Sequence, residues 1–308
     1  MNNERIAVLI PCYNEEGTIA KVVSDFKHWL PESTIYVCDN ASTDATADVA
    51  RRAGAVVLTE KRKGKGNAVR CLFNKIDADC YLLVDGDDTY PAESARALCE
   101  KIIDEGCQMA IGDRLSTTYS KENKRRFHDG GNRLVRFLIN HIFNSSVGDI
   151  MTGYRAFSRE FVRLVPVISN GFEIETEMTI FALNHQYEIG EVPVAYRDRP
   201  EGSYSKLSTL ADGWRVLKTV FRLFRDYRPL LFFSYLSMLL LVLAVIMFVP
   251  VYMEYLKTGL VPRFPTLIVC GFTALIGVLL WLCGLVLEVM MSRHRRVTDL
   301  LERIVSDH

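Results

Sequence analysis

The chain has 308 residues, and 37 Lys and Arg residues balance 37 Asp and Glu residues, so its formal net charge at pH 7 is zero. This length accommodates one large domain or two small ones, and the neutral charge gives no indication of nucleic-acid binding. None of the 8 cysteines belongs to a C-x-x-C pair, and most lie in apolar stretches, which favours reduced, structural thiols. The first apolar stretch, residues 6–10, is too short for the core of a secretory signal peptide, so none is expected.

Apolar and amphipathic stretches alternate over the first 112 residues. The predicted strands are residues 6–11, 34–38, 55–58, 80–84 and 109–112. The predicted helices between them are residues 18–29, 44–53, 66–73 and one that Pro91 opens. Alternation at this spacing predicts βαβ units, and therefore a mostly parallel sheet with helices on both faces. Right-handed crossovers then bring the C-terminal ends of all strands to one edge.

The pattern is looser after residue 115. Residues 115–127 are polar and basic and indicate a loop, and residues 134–143 indicate an amphipathic helix. Two further strands, 154–158 and 188–196, are predicted around a helix at 175–183. Residues 206–227 form an amphipathic helix with a basic face, which is typical of a helix lying on an anionic membrane surface. A helix packed on the domain surface is the alternative.

Two stretches, residues 229–253 and 264–287, carry no charged residue. Each is longer than the about 20 apolar residues that cross a bilayer, and each is apolar on every face, which disfavours the core of a soluble protein. Arginines flank the pair on both outer sides, whereas the link at 254–263 is weakly basic, so both flanks are predicted to be cytoplasmic. Four segments follow: a cytosolic domain (1–205), a juxtamembrane helix (206–228), two transmembrane helices (229–291) and a basic cytosolic tail (292–308).

Two carboxylates follow the fourth predicted strand, which ends on Asp85, with Asp87 two residues further on. Mg²⁺ and Mn²⁺ prefer such oxygen ligands and often complete their shell with substrate phosphates, and ligands of open α/β sheets gather at this edge. An acidic turn that solvates the end of the strand is the competing interpretation. An EF-hand loop is excluded, because its Gly would fall at Tyr90 and its Glu at Arg96.

Polar residues also follow the first three strands, in the segments PCYNEE (11–16), DNASTD (39–44) and KRKGKGN (61–67). Asp39 can accept a hydrogen bond from a nucleotide base, and Lys65 can meet a phosphate that the neighbouring glycines allow to approach the backbone. Each segment alone is explained equally well by a turn or a helix cap. Four of them on one edge together predict a site for a nucleotide diphosphate. Neither G-x-G-x-x-G after the first strand nor a P-loop occurs.

In order and spacing, the segments after the first four strands resemble family 2 glycosyltransferases with a GT-A fold. Later segments are similar to polyprenyl-phosphate (dolichol-phosphate) sugar synthases: GDR (112–114), the basic residues 125–132, DIMTGYR (149–155) and RPEGSYSK (199–206). The resemblance covers residues 6–210, and some members have a similar two-helix C-terminal anchor. It implies that segment 1–205 is a Rossmann-like GT-A domain with a mostly parallel sheet.

Carried over position by position, the resemblance implies a set of site residues. The base and ribose would be held by Pro11, Tyr13, Glu15 and Asp39. The diphosphate and its Mg²⁺ or Mn²⁺ ion would meet Lys65, Asp85, Asp87 and Thr89, the last of which replaces a Gln ligand of some relatives. Closure over the diphosphate would involve Arg199, Ser205 and Lys206. The acceptor phosphate would meet Arg114, Arg125 and Arg126. Asp87, Arg114 and Asp149 form the predicted catalytic set, with Asp149 as a base or orienting group. The alternative for Asp149 is a carboxylate that pairs with Arg155 or caps a helix.

The implied reaction is inverting transfer of a sugar from a nucleotide-diphosphate sugar to undecaprenyl or dolichyl phosphate. An ionised phosphate oxygen attacks the anomeric carbon without a strong base, while the metal and the cations neutralise the leaving group. The expected location is the cell membrane, with a multi-pass anchor and the domain and both termini in the cytoplasm, in cell-envelope or glycan biosynthesis. Self-association stays open, as do the sugar, the base and the polyprenol. Three alternatives are kept: a same-fold transferase acting on a lipid or glycan hydroxyl, a nucleotidyltransferase, and a catalytically silent membrane scaffold.

Overall fold

The structure of the chain is a computed structural model that describes residues 5–115, 126–171, 173–197 and 209–306. Within it, the side chains of residues 126–132, 209–213, 215–216 and 294–306 are not described. The chain divides into two compact units, Met1–Val220 and Phe221–His308.

The described part of the first unit is organised around a seven-stranded sheet. In chain order the strands are β1 (Ile6–Cys12), β2 (Thr34–Asp39), β3 (Val56–Thr59), β4 (Cys80–Leu83), β5 (Met109–Asp113), β6 (Arg155–Ser158) and β7 (Ile189–Pro193). Their order across the sheet is β3-β2-β1-β4-β6-β5-β7. Strands β1 and β4 are apolar and buried almost throughout, as expected of parallel strands that helices cover on both faces.

Helices connect these strands and cover both faces. The first unit contains α1 (Ile19–Trp29), α2 (Thr46–Arg52), α3 (Lys65–Lys75), α4 (Ala95–Ile103), α5 (Arg126–Phe143), α6 (Arg159–Leu164) and α7 (Ile174–Asn184). The following helix, α8 (Thr209–Tyr227), extends across the division between the units. A short 3₁₀ turn, Ala92–Ser94, precedes α4. On one face of the sheet, α1 packs through Val22, Val23 and Phe26, and the Phe26 ring meets Tyr154 edge-to-face at 6.2 Å.

The predicted α/β fold is confirmed, with one correction to strand direction. Strands β1 to β5 begin and end within one residue of the predicted positions. Strand β6 is antiparallel to both of its neighbours, so the prediction that every strand ends on the same edge is wrong for β6. Its first residue, Arg155, pairs with Leu83 at the end of β4 and with Ile111, two residues before the end of β5. The loop before β6 therefore lies at the edge where the parallel strands deliver their C-terminal ends.

Sequence analysis missed the short helix α6. Its signal was present, because the hydroxyl of Ser158 accepts a hydrogen bond from the Phe161 N–H and so caps the helix N-terminus.

The second unit contains α9 (Pro229–Thr258) and α10 (Phe264–Ser306). Within the described residues, two helical segments are long and apolar enough to cross a membrane: Pro229–Thr258 and Phe264–Arg293. Most of their large apolar side chains are exposed, which distinguishes them from the core helices of a soluble protein. Glycines allow the two helices to pack closely, since a Cβ at Gly284 would lie 2.8 Å from the Cβ of Phe233.

Candidate active site

The loops after β1, β2 and β4 lie at one edge of the sheet. The N–H of Asn40 donates to the Cys12 carbonyl at 2.8 Å and joins the first two loops where their strands end. Each loop contains a non-glycine residue with a left-handed backbone: Asn14 (φ 53°), Ala41 (φ 58°) and Asp88 (φ 58°). Such a conformation costs about 1–3 kcal/mol and is concentrated at functional sites. The three turns mark this edge as the candidate site.

One end of the edge carries an aromatic ring and a carboxylate. Tyr13 is half-buried, and the ammonium of Lys63 lies 5.0 Å from the centroid of its ring. The carboxylate of Asp39 is almost fully buried and accepts from the Ser42 N–H at 3.3 Å. Two further residues predicted for this end are half-buried: Pro11 and Glu15. A ring beside an accepting carboxylate suits a nucleotide base and its ribose.

Asn40 organises the loop that leads into α3. Its side-chain oxygen accepts from the Gly64 N–H at 2.7 Å, and its amide donates to the carbonyls of Glu60 and Arg62 at 3.2 and 2.7 Å. Gly64 has φ 129°, a conformation that side chains disfavour, and a Cβ there would collide with the Asn170 carbonyl. This loop therefore has a defined path, and it delivers Lys65 to the centre of the edge.

Lys65 lies between two carboxylates. Its ammonium is 2.5 Å from Oδ1 of Asp85 and 2.6 Å from Oε1 of Glu175. Burial alone lowers the pKa of Lys65, but the two carboxylates outweigh burial and raise the pKa above its ordinary value. Burial raises the pKa of Glu175, and the neighbouring ammonium opposes that effect. The cluster therefore contains a charged ammonium that two carboxylates share.

Asp87 is buried just beyond the end of β4, where Thr89 holds it. The hydroxyl and the N–H of Thr89 both donate to Oδ1 of Asp87, at 2.6 and 3.3 Å. Asp85 and Asp87 offer hard carboxylate oxygens, the donor type that Mg²⁺ and Mn²⁺ prefer, so the residues fit such an ion. Among the described residues no group of three or more His, Cys, Asp or Glu could hold a metal. Substrate or water oxygens would therefore complete the coordination.

Arg114 occupies the other end of the site. Its guanidinium donates to both oxygens of Asp149, at 2.7 and 3.1 Å, and Asp149 is fully buried. A third nitrogen lies 3.3 Å from the Tyr90 hydroxyl. Burial lowers the pKa of Arg114, but Tyr90 and Asp149 outweigh burial and raise it above its ordinary value. Bidentate pairing of this kind sets the orientation of the guanidinium plane.

Tyr196 connects the two ends of the site. The guanidinium carbon of Arg114 lies 5.3 Å from the centroid of the Tyr196 ring. The Tyr196 hydroxyl is hydrogen-bonded to Thr89, the residue that holds Asp87, and burial raises the pKa of this phenol. Tyr196 therefore contacts both Arg114 and the residue that holds Asp87.

Arg155 holds the loop that begins at Asp149. It is fully buried and donates to the carbonyls of Ile150 and Thr152, at 2.5 and 2.9 Å, and to the Thr179 hydroxyl at 2.8 Å. Burial lowers the pKa of Arg155 to about 10. The same loop passes close to Asp85, since a Cβ at Gly153 would lie 2.5 Å from Oδ2 of that carboxylate.

The sequence that forms this edge also identifies the family of the chain. A model of Glycosyl transferase family 2 matches residues 7–165, more than half of the chain. The chain is a family 2 glycosyltransferase. The matched segment contains β2 to β6 and all but the first residue of β1. It includes the site residues described above except Asn170, Glu175, Thr179 and Tyr196.

Relatives of this glycosyltransferase include two proteins of Haloferax volcanii. Glycosyltransferase AglJ is 34% identical over 232 residues, which are 75% of this chain and 76% of AglJ. A dolichyl-phosphate hexose transferase is 30% identical over 223 residues, which are 72% of this chain and 95% of the relative.

The fold of this glycosyltransferase is also that of a solved mycobacterial enzyme. The crystal structure of Mycobacterium tuberculosis glucosyl-3-phosphoglycerate synthase with Mn²⁺, UDP and glucosyl-3-phosphoglycerate matches with a TM-score of 0.58 and 22% identity. The match covers 71% of this chain and 80% of the mycobacterial one. At this level of identity the likeness establishes the fold.

The structure of this glycosyltransferase brings most of the predicted site residues to one edge. The carboxylate of Asp149 pairs with Arg114, whereas pairing with Arg155 was one alternative to its predicted role as a base or orienting group. The side chain of Arg126, the first residue of α5, is not described. Four predicted site residues lie outside the described residues: Arg125, Arg199, Ser205 and Lys206.

Sequence reasoning missed four residues of the site: Asn40, Tyr90, Glu175 and Tyr196. Asn40 and Tyr90 lie inside segments that carried the resemblance, each directly after a predicted site residue, Asp39 and Thr89 respectively. Glu175 is one of three alternating glutamates near the start of α7, and no sequence pattern distinguishes it from its neighbours.

Proposed function

We propose that this glycosyltransferase transfers a sugar from a nucleotide-diphosphate sugar to a polyprenyl phosphate, undecaprenyl or dolichyl, with inversion and with Mg²⁺ or Mn²⁺. One observation carries the proposal: the Tyr196 ring lies against a buried, oriented arginine suited to a second phosphate, and its hydroxyl is hydrogen-bonded to Thr89, which holds one of the two carboxylates suited to a metal diphosphate. The relative named as a dolichyl-phosphate hexose transferase supports the lipid acceptor. The fold neighbour solved with Mn²⁺ and UDP supports the donor and the metal.

On the donor side, the residues bind the nucleotide and neutralise the negative charge of its diphosphate. Tyr13 and Asp39 hold the base and ribose, and the cation of Lys65 offsets negative charge that develops on the leaving diphosphate. Asp85 and Asp87 would hold the divalent ion, with Thr89 orienting Asp87. When bound, that ion supplies Lewis-acid stabilisation of the leaving group.

On the acceptor side, Arg114 binds the lipid phosphate and directs one of its oxygens at the anomeric carbon. Asp149 orients Arg114, because both of its oxygens are engaged by that guanidinium. A phosphate monoester is already ionised at neutral pH, so no general base is assigned. Arg125 and Arg126 are proposed to add charge for the phosphate, and Arg199, Ser205 and Lys206 to close over the donor.

The two apolar helices are proposed to anchor the enzyme in the cell membrane, with the first unit and both termini in the cytoplasm. Their length, composition and exposed apolar surface support membrane insertion. The Arg-rich outer flanks support the orientation. Such an anchor holds the enzyme in the same bilayer as an acceptor that cannot leave it.

The test is a transfer assay on membranes that contain the full chain. Radiolabelled nucleotide sugars are supplied one at a time with undecaprenyl or dolichyl phosphate, and label is counted in the organic phase. One sugar should label the lipid in an acid-labile, phosphate-linked form. Asp87→Asn should abolish labelling, whereas Asp79→Asn, the same change at the opposite end of β4, should leave it unchanged.

Two outcomes would overturn the proposal. An acid-stable product would indicate transfer to a hydroxyl, which is the same-fold alternative. Absence of lipid labelling from every sugar, in a folded enzyme supplied with Mg²⁺ and Mn²⁺, would favour the silent scaffold.

A further inference from the structure

The buried ammonium of Lys65 lies where it restricts access to Asp85. Only 9% of the Lys65 side chain and 5% of the Glu175 side chain are exposed, against 27% for Asp85. Of the three, Asp85 is therefore the group that solvent and ligands reach. Its Oδ1 is already engaged by the ammonium at 2.5 Å.

Neighbouring backbone restricts how far Lys65 can move. A Cβ at Gly153 would lie 2.9 Å from the Lys65 ammonium and 2.5 Å from Oδ2 of Asp85, so this loop lies directly against the pair. Gly66, the next residue of α3, donates its N–H to the Asn170 carbonyl at 3.1 Å, which holds the start of the helix. The Lys65 ammonium therefore stays within reach of both carboxylates, and the start of its helix is held in place.

A carboxylate that holds an ammonium is a poorer ligand for a divalent cation. The two cations would repel each other across one small carboxylate, and in a partly buried site that repulsion is only weakly screened. We propose that Lys65 is the resident counter-ion of Asp85, which a divalent cation must displace before Asp85 can serve as its ligand. This inference rests on the metal-dependent transfer proposed above.

Glu175 makes the displacement feasible. When the divalent cation takes Asp85, the Lys65 ammonium keeps its second partner, Glu175, at 2.6 Å, so it is not left buried and unpaired. Lys65 is then released from Asp85 and available to a diphosphate that arrives with the metal. Glu175 is thus a positioning residue that sets how strongly Lys65 competes for Asp85.

The two partners should have opposite effects on metal affinity, measured without nucleotide. Mn²⁺ binding to the full-length protein in detergent is followed by electron paramagnetic resonance of free Mn²⁺. Lys65→Met removes the competitor and should tighten Mn²⁺ binding about tenfold or more. Glu175→Gln removes the carboxylate that competes with Asp85 for Lys65 and should weaken Mn²⁺ binding. Lys75→Met, at the exposed opposite end of α3, should leave the affinity unchanged.

A second pair of variants controls for misfolding of Lys65→Met. Lys65→Met alone leaves the buried Glu175 carboxylate near Asp85 without the cation that pairs with both, whereas Lys65→Met/Glu175→Gln does not. The double variant should bind Mn²⁺ about tenfold more tightly than Glu175→Gln, which isolates the effect of Lys65 on one background. Equal affinities of these two variants would overturn the counter-ion role.

Asp87→Asn separates this inference from the proposed function. If that variant binds Mn²⁺ as the wild type does, the metal site itself is misplaced and the metal-dependent mechanism fails with it. If Asp87→Asn abolishes binding and removal of Lys65 does not tighten it, the metal site stands and only the competition by Lys65 is wrong.

Discussion

The buried pair between Arg114 and Asp149 should be measurable as a coupling free energy. Asp149 is fully buried, and its two oxygens accept hydrogen bonds from Arg114 at 2.7 and 3.1 Å. Arg114→Met leaves this carboxylate buried without its partner, which should lower the free energy of unfolding by about 3–5 kcal/mol. Asp149→Asn leaves a buried guanidinium with one accepting oxygen and should cost a similar amount. In the double variant neither residue is left as a buried charge without its partner. Its loss of unfolding free energy should therefore be smaller than the sum of the two single losses by about 2 kcal/mol or more.

Urea-induced unfolding of the full-length protein in detergent provides the assay. Fluorescence of Trp29, on α1, reports on the first unit once Trp214 and Trp281 have been replaced by Phe. Arg159→Met is the matched control, because its ion pair with Asp77 is partly exposed and should contribute about 1 kcal/mol or less. If the loss in the double variant equals the sum of the two single losses to within about 0.5 kcal/mol, the two residues do not stabilise each other. The orienting role of Asp149 toward Arg114 would then be refuted.

The loop before β6 and the helical hairpin provide three further tests. Arg155→Met removes three charge-assisted hydrogen bonds and should lower the free energy of unfolding by about 3 kcal/mol or more in the same urea assay; a loss below that of Arg159→Met would contradict the buried network. Gly153→Ala places a Cβ against Asp85 and should reduce transfer about 100-fold, with an unchanged circular dichroism spectrum; near-normal transfer would show that this contact has no bearing on catalysis. Reporter fusions at Lys257 should be active outside the cytoplasm and C-terminal fusions inside it, and an external C-terminus would refute the two-span topology.

Much of the site was predictable because strand ends are visible in sequence. A short apolar run that stops at Asp85 predicts both the strand and its polar end, and the parallel βαβ rule then gathers several such ends at one edge. The same logic located Asp39 and Lys65 correctly. This logic placed one residue of each contact on its own element. It did not identify the residue on the other side of the contact.

The rest depended on information that local patterns do not contain. Periodicity is the same in both directions along a strand, so it could not reveal that β6 runs antiparallel. Pairing with Arg155 was one alternative role for Asp149, but the register of β6 places Arg155 inside the sheet, and Asp149 pairs with Arg114. Glu175 lies 110 residues beyond Lys65 in the chain, and only the packed fold brings the two together.

The position of β6 between β4 and β5 has a consequence for the synthesis of the protein. Strand β5 hydrogen-bonds to β6 and β7 and not to β4, so it cannot join the sheet until the ribosome has passed residue 158. At about 5–20 residues per second, the 45 residues between the ends of β5 and β6 take about 2–9 seconds to make. During that interval β4 and β5 expose unpaired edges, the state most prone to intermolecular pairing. We expect slowed translation between the two strands to increase aggregation of the nascent chain, and slowing beyond β7 to have much less effect.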